Sequence, residues 1–201
     1  MEFISVVELI GTVAFAITGA LVAIDKDLDY YGIIALAIIT AIGGGIVRDV
    51  LIGLDLPVSL ENPIYAIISI LTALAVIALH KKIERYQNFI QFFDAIGLAA
   101  FTAIGAEVAI NNGLHQPFVI ITLAVLTGTG GGMMRDVFAH EIPFVFHKEV
   151  YAVACIIGSV FFVILYGSFG NSIALYVCFG VTLLIRLYCM RKGIQLIKVR
   201  K

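Results

Sequence analysis

The sequence has 201 residues and a formal net charge of −1; 61% of its residues are hydrophobic and only 13% are charged. A soluble domain usually carries about 25% charged residues, and a chain this short buries only a limited share of its surface on folding. The composition therefore excludes an ordinary water-soluble domain and predicts an integral membrane protein.

Seven apolar segments follow one another along the chain, each close to the length of about 20 residues that a helix needs to cross a bilayer. They cover residues 3–24, 31–53, 63–79, 89–110, 117–139, 150–166 and 172–190. The connections between them are short and leave no room for a separate soluble domain. The sequence thus predicts an all-α fold with seven transmembrane helices.

The basic residues predict the orientation of the chain. If all seven segments cross the membrane, eleven of the 13 Lys and Arg residues fall on one side, and the other two, Arg48 and Arg135, lie inside segments. The eleven are Lys26, Lys81, Lys82, Arg85, Lys148, Arg186, Arg191, Lys192, Lys198, Arg200 and Lys201. Because basic residues favour the cytoplasmic side, we expect the N-terminus outside and the C-terminus in the cytoplasm.

The tyrosines and cysteines are expected to have structural roles. The chain has no Trp, so the aromatic belt at the membrane surface is expected to consist of Tyr. The tyrosines near segment ends are Tyr30, Tyr31, Tyr65, Tyr86, Tyr151, Tyr166 and Tyr188. The cysteines, Cys155, Cys178 and Cys189, fit neither a disulfide framework nor a metal site and are expected to be buried.

The sequence repeats itself at an offset of about 86 residues. Residues 8–24 align with residues 94–110 with nine identical positions, and Tyr65 then aligns with Tyr151. Between these matches, at an offset of 87, each half carries the motif Gly-Gly-Gly-x-x-Arg-Asp inside an apolar segment. Three segments make an odd number, so the second copy must enter the membrane from the opposite side, as in inverted-repeat proteins.

This repeat divides the single membrane domain into four parts. The first repeat covers residues 1–86, the second covers residues 87–171, and an extra helix without a counterpart covers residues 172–190. A basic cytoplasmic tail follows at residues 191–201. The fold expected is therefore two inverted three-helix repeats plus a seventh helix.

The two glycine triplets predict breaks in the second and fifth transmembrane helices. They are Gly43, Gly44 and Gly45 in the first repeat and Gly130, Gly131 and Gly132 in the second. Each Gly costs up to about 1 kcal/mol relative to Ala in a helix, and a break in lipid must face protein or a polar cavity. Carbonyls at such breaks could bind K⁺ or Na⁺, and no other metal or cofactor is expected. Alternatively, the small residues only allow close helix packing.

The charged pairs that follow the triplets need partners, because an embedded charge costs at least about 2.5 kcal/mol. Adjacent residues on a helix point about 100° apart, so Arg48 is badly oriented toward Asp49. We therefore expect pairing between the repeats, Arg48 with Asp136 and Arg135 with Asp49. These pairs either lock two helices together or take part directly in permeation.

Three further acids lie within segments and are secondary candidates for an ion pathway: Glu8, its repeat equivalent Asp94, and Glu107. Embedded acids then outnumber embedded bases, which favours a cation as the permeant species, although acids near the membrane faces could simply be hydrated. The sequence shows no hydrolase elbow, phosphate-binding loop, dinucleotide motif or nucleic-acid surface, so an enzyme is not expected.

The doubled Gly-Gly-Gly-x-x-Arg-Asp motif, with seven segments in two inverted repeats, resembles the prokaryotic branch of the trimeric intracellular cation (TRIC) channel family. Its bacterial members are also labelled glycine-transporter-domain proteins. The resemblance implies a homotrimer in membrane lipid, with one hourglass-shaped pore for K⁺ and Na⁺ in each protomer. With a compact bacterial-type chain and no organelle signal, the expected location is the plasma membrane of a prokaryote. By position, the six glycines would form the constriction, and Arg48, Asp49, Arg135 and Asp136 would form the accompanying polar network.

Two other functions compete with a channel. Inverted repeats with broken helices are typical of carriers with alternating access, so the chain could be a secondary transporter of a small zwitterion such as glycine. It could also be a structural module in which the glycines and the Arg-Asp pairs only pack helices together.

Overall fold

The computed structural model describes residues 6–80, 86–147 and 150–194, and all regular structure within these ranges is helical. The helices are α1 (Val6–Asp25), α2 (Tyr30–Leu51), α3 (Val58–Glu61), α4 (Ile64–Leu79), α5 (Tyr86–Asn111), α6 (Pro117–Phe138), α7 (Phe144–His147), α8 (Ala152–Phe169) and α9 (Asn171–Lys192). Among the described residues, six helices, α1, α2, α5, α6, α8 and α9, are long and apolar enough to cross a membrane, and α4 is an apolar helix of 16 residues.

Part of the expected orientation signal lies outside the described residues, as does the start of the first predicted segment at Phe3. The basic residues concerned are Lys81, Lys82, Arg85, Lys148, Lys198, Arg200 and Lys201. Of the remaining four, Lys26, Arg191 and Lys192 are exposed. Arg186 instead lies inside α9 and is buried, so placing it among the cytoplasmic charges was wrong.

Local sequence signals set the helix ends. Asp29 caps α2, because its side chain accepts a hydrogen bond of 2.7 Å from the backbone N–H of Gly32. Pro117 occupies the first turn of α6, where no backbone hydrogen bond is lost. Gly193 ends α9 in the left-handed conformation, with φ of 62°, that favours glycine. Each of these ends lies within a few residues of the predicted one.

Helices α1 and α5 form the centre of the molecule and pack against each other, with α2 and α4 against α1 and with α6, α8 and α9 against α5. The outer helices carry exposed apolar side chains, among them Leu71 on α4, Ile164 on α8 and Leu184 on α9. An apolar exterior around a well-packed interior is the arrangement expected of helices surrounded by lipid tails.

Contacts between the two halves are reciprocal. The rings of Phe15 on α1 and Phe101 on α5, which are repeat equivalents, lie 5.3 Å apart between centroids. Gly11 packs against Phe101, and Gly97, the repeat equivalent of Gly11, packs against Phe15. Each contact thus recurs with the two aligned segments exchanged.

The predicted helix breaks are wrong: both glycine triplets lie inside uninterrupted helices, α2 and α6. The helices instead cross at the middle glycines. A side chain on Gly44 would collide with the carbonyl oxygen of Thr127, and one on Gly131 would collide with that of Thr40. The propensity cost of glycine is therefore offset by backbone-to-backbone packing, which was the alternative interpretation of the motif.

Candidate functional site

Each position of the glycine triplets has its own surroundings at the crossing of α2 and α6. The first glycines face Met134 in one repeat and the Cα of Gly44 in the other. The third glycines face polar groups instead. A Cβ on Gly45 would lie 3.7 Å from Arg48 Nη2, and one on Gly132 would lie 3.0 Å from the hydroxyl of Tyr151 and 3.5 Å from Asp94 Oδ1. The triplets therefore join the helix crossing to two polar clusters, one in each repeat.

The first-repeat cluster consists of Glu8, Arg48, Asp49 and Tyr65. Arg48 donates from Nε to Asp49 Oδ1 at 2.7 Å, and its Nη2 lies 2.7 Å from the same oxygen. The other carboxylate oxygen of Asp49 accepts a hydrogen bond of 2.9 Å from the backbone N–H of Val58, the first residue of α3. Asp49 therefore fixes both its neighbouring arginine and the connection that follows α2.

The second-repeat cluster consists of Asp94, Arg135, Asp136 and Tyr151, and it uses the same geometry. Arg135 donates from Nε to Asp136 Oδ1 at 2.8 Å, and Asp136 Oδ2 accepts from the backbone N–H of Phe144, at the start of α7, at 2.9 Å. The guanidinium carbon of Arg135 lies 4.9 Å from the centroid of the Phe144 ring, within cation–π range.

The predicted pairing between repeats is therefore wrong, since each arginine contacts the aspartate next to it in sequence. The helix places adjacent Cβ atoms about 100° apart, but the long arginine side chain curves back until its guanidinium meets the neighbouring carboxylate. Each pair is buried in its own repeat.

The three secondary candidates lie in different environments. Asp94 and Arg135 are both fully buried, and Asp94 Oδ1 accepts from Arg135 Nη1 at 2.7 Å. Asp94 is thus paired within the protein and is not a hydrated surface acid. Glu8 is half-buried and hydrogen-bonds Tyr65. Glu107, also half-buried, lies close enough to Glu8 for their charges to interact.

A small cavity of about 20 Å³ adjoins the first-repeat cluster. Its lining includes Glu8, Thr12, Arg48, Asp49, Ser59 and Tyr65. A water molecule needs roughly 10–15 Å³ on this measure, so the space suits a single water or one small ion. The cavity brings the carboxylate of α1, the charged pair of α2 and the hydroxyls of α3 and α4 to one point.

Three cluster residues were missed as functional candidates. Tyr65 and Tyr151 were expected in an interfacial belt, yet they are only 7% and 2% exposed and lie beside Glu8 and Asp94. Their alignment in the repeat was the signal that could have identified them. Arg186, whose guanidinium carbon lies 4.8 Å from the centroid of the Tyr151 ring, is in the unrepeated segment and gave no such signal. Tyr30 and Tyr31 are exposed as expected.

The cysteines are buried, and Cys155 lies next to the second-repeat cluster, where its thiol donates to the backbone carbonyl of Tyr151 at 3.6 Å. Cys155, Cys178 and Cys189 are free and buried, as expected. Cys178 belongs to the close contact of α8 and α9, where Gly158 packs against the carbonyl oxygen of Cys178 and the side chain of Thr182.

Long apolar helices, two similar halves and buried charges at equivalent positions define a multi-pass helical membrane protein built on an internal repeat. Comparison with known proteins agrees with this class. The family model described as "Glycine transporter" matches the chain twice, over residues 5–81 and 91–167. Both copies of the motif fall within these matches.

Curated relatives match nearly the full length of the chain. The UPF0126 inner membrane protein YadS of Escherichia coli K12 is 35% identical over 192 residues, which cover 94% of this chain and 92% of YadS. The UPF0126 membrane protein YvgT of Bacillus subtilis is 39% identical over 180 residues, covering 89% and 88% of the two chains. These relatives support a multi-pass protein of a bacterial membrane.

Solved structures of TRIC channels have the same fold. One, from a study of conductance through TRIC cation channels, has a TM-score of 0.89 and 32% identity and covers 98% of this chain and 97% of its own. The trimeric TRIC orthologue from Rhodobacter sphaeroides has a TM-score of 0.89 and 31% identity, with coverage of 94% and 97%. The chain belongs to the glycine-transporter family of bacterial membrane proteins, the prokaryotic branch of the TRIC channel family. These matches are to channels and to a channel or transporter family, and not to an enzyme family.

Proposed function

We propose that the protein is a channel for monovalent cations, K⁺ and Na⁺, with the ion pathway in each protomer running along the crossing of α2 and α6. The observation that carries this proposal is the pair of polar clusters next to the third glycines. Each cluster contains an Arg–Asp pair and one further carboxylate, that of Glu8 in the first repeat and that of Asp94 in the second. Across the two clusters carboxylates outnumber guanidinium groups, which favours cations over anions. The similarity to solved TRIC cation channels supports the same conclusion.

The constriction is proposed at the glycine triplets, Gly43 to Gly45 and Gly130 to Gly132. In continuous helices, carbonyl oxygens are engaged in backbone hydrogen bonds. Binding of K⁺ or Na⁺ at these carbonyls, as predicted from the sequence, would therefore require α2 and α6 to open at the glycines and stays a prediction. In the closely packed crossing described above, we infer a closed pathway.

Two contacts between connections support seven membrane crossings. Lys26 Nζ, after α1, lies 2.6 Å from Glu141 Oε1, after α6, so both must be on the same side of the membrane. An even number of crossings must then separate them. The helices α2, α5 and α6 make only three, so α4 is proposed as the fourth, although its 16 residues span about 24 Å.

The second contact concerns the opposite side. The side-chain amide of Asn171, at the start of α9, donates to the side-chain oxygen of Asn111, at the end of α5, at 3.2 Å, and two crossings, α6 and α8, separate them. With Lys26, Arg191 and Lys192 on the cytoplasmic side, we propose that the N-terminus is outside and the C-terminus inside. The hydrogen bond to Glu141 raises the pKa of Lys26, so this ion pair is intact at neutral pH.

A homotrimer is proposed from the similarity to the Rhodobacter sphaeroides orthologue, which is described as trimeric. Membrane lipid would surround the assembly, and each protomer would hold its own pathway. Light scattering of the purified protein in detergent should give the mass of three chains.

Reconstitution into planar bilayers tests the proposed function. A channel should give discrete unitary currents in KCl and in NaCl, carried by the cation and not by Cl⁻. The alternative favoured by the family's description is a carrier for a small zwitterion such as glycine. Saturable uptake of radiolabelled glycine into liposomes without unitary currents would overturn the channel and support the carrier.

A further inference from the structure

The helix that lies outside the repeat contributes a buried charge to only one of the two polar clusters. Arg186 on α9 is 2% exposed, and its guanidinium carbon lies 4.8 Å from the ring centroid of Tyr151 in the second-repeat cluster. Tyr151 in turn lies beside Asp94 and Arg135. Because α9 has no equivalent in the first repeat, this contribution breaks the symmetry between the clusters.

The formal charges of the two clusters differ as a result. With Arg186, the second-repeat cluster has two carboxylates, those of Asp94 and Asp136, and two guanidinium groups, so its formal charge is zero. The first-repeat cluster has two carboxylates but a single guanidinium group, and its formal charge is −1.

Packing follows the same asymmetry. Asp94, Arg135, Asp136 and Tyr151 are each at most 2% exposed. In the first repeat, Glu8 is half-buried, adjoins the cavity of about 20 Å³ and lies near a further half-buried carboxylate, that of Glu107. The first-repeat cluster, which has the net negative charge, is thus also the less tightly packed of the two clusters.

We propose that Arg186 is a positioning residue that neutralises and closes the second-repeat cluster, so that the cation pathway carries fixed negative charge at its first-repeat end only. The inference rests on the proposed cation channel. In the proposed orientation the first-repeat end faces outside. Cations would concentrate there and leave the cytoplasmic end without such attraction, so inward cation current should exceed outward current in symmetrical solutions.

Salt dependence separates this effect from other causes of rectification. Exposed fixed charge is screened over about 30 Å at 0.01 M salt and about 3 Å at 1 M. Single-channel currents in symmetrical KCl should therefore rectify inward at 10 mM and much less at 1 M. For Arg186→Gln the second cluster regains a net negative charge, and the inward-to-outward current ratio at 10 mM should fall toward 1.

Two further variants test the charge rather than the shape. Arg186→Lys keeps the charge and should keep the rectification. The double variant Arg186→Gln with Asp94→Asn is neutral again in the second cluster and should restore it. A wild-type protein without salt-dependent rectification, or an Arg186→Gln variant that rectifies like wild type, would overturn the proposal.

A stability measurement tests the same charge balance without any transport. Arg186→Gln and Asp94→Asn should each lower the midpoint of unfolding by SDS, and the double variant should lose clearly less than the sum of the two shifts, because neighbouring charges are coupled. The exposed Arg191→Gln should be additive with Asp94→Asn. If the shifts of Arg186→Gln and Asp94→Asn were additive, the proposed charge balance would be overturned. If the two shifts were coupled but the protein carried no K⁺ current, only the proposed channel function would be overturned.

Discussion

Asp49 and Asp136 each hold two groups at once: the neighbouring arginine through Oδ1, and through Oδ2 the backbone N–H that begins the next short helix. Both oxygens of each carboxylate are therefore engaged, and the connections after α2 and α6 are fastened to the ends of those helices. The importance of these residues is structural as well as electrostatic, because removing either carboxylate takes away the acceptor of the neighbouring arginine's Nε and of the backbone N–H.

Replacing either aspartate with alanine should destabilise the protein strongly. Breaking one partner of a buried ion pair costs about 3–5 kcal/mol, so Asp49→Ala should lower the free energy of unfolding in SDS titrations by about that amount. Asp136→Ala should lower it by less, because Arg135 keeps its ion pair with Asp94. Asp55→Ala, in the same connection as Val58 but exposed, is the matched control and should be close to neutral. If Asp55→Ala and Asp49→Ala lowered the free energy of unfolding equally, the contacts of Asp49 with Arg48 and Val58 would not be the cause.

The partners of the two buried arginines could be predicted only in part from the sequence. The need for partners at Arg48 and Arg135 followed directly from their position in apolar segments, and partners are present. Their identity did not follow, because helical spacing fixes the direction of Cβ and not the path of a long arginine side chain. Similarly, alignment could link Tyr65 with Tyr151, but only packing shows that both face acids.

Among the helices, α2 and α6 are held together by the middle glycines, each facing a carbonyl oxygen of the partner helix. The doubled triplets stood out in the sequence, and the structure places both of them where α2 and α6 cross. The effect on the backbone was not predictable, because three glycines favour either a break or a close approach of two continuous helices. The close approach is favoured here because each helix meets a partner helix that has its own glycine at the crossing.

Alanine substitutions within one triplet should have different effects. Gly44→Ala places a methyl group against the carbonyl oxygen of Thr127 and should destabilise by about 1–3 kcal/mol, as overpacking does. Gly45→Ala meets only Arg48 Nη2, at an ordinary 3.7 Å, and should be tolerated. The shift in unfolding midpoint in SDS measures both, and equal shifts would argue against a tight crossing at Gly44.

If the crossing of α2 and α6 lies on the ion pathway, substitutions at the crossing should alter the conductance and substitutions elsewhere should not. Gly131→Val adds bulk where Gly131 faces Thr40 and should alter the unitary K⁺ current. Gly180→Ala, at a position on α9 with open space around its Cβ, should leave that current unchanged. Unaltered currents in Gly131→Val and Gly44→Val together would favour a purely structural role for the triplets.

For the whole molecule, the ion pair of Lys26 with Glu141 and the hydrogen bond of Asn111 with Asn171 tie connections that are distant in sequence but expected on common membrane faces. Six of the seven apolar segments correspond in order to helices long enough to cross a membrane, since membrane-spanning length is a strong signal. The third segment, also predicted as a full crossing, forms the 16-residue α4, whose length fits either a thin crossing or a partial one.

Labelling of single cysteines tests the proposed arrangement. A cysteine in place of Lys26 should react with a membrane-impermeant maleimide only from the cytoplasmic side, and one in place of Asn171 only from outside. The buried Cys155, Cys178 and Cys189 provide a low background. Labelling of both positions from one side would contradict seven crossings.

The position of Arg186 in the last helix has a consequence for how the protein is made. Because α9 is the last helix in the chain, the proposed charge balance of the buried Asp94 and Arg135 is complete only once α9 has been made and inserted. A chain cut short before residue 186 would carry this imbalance permanently.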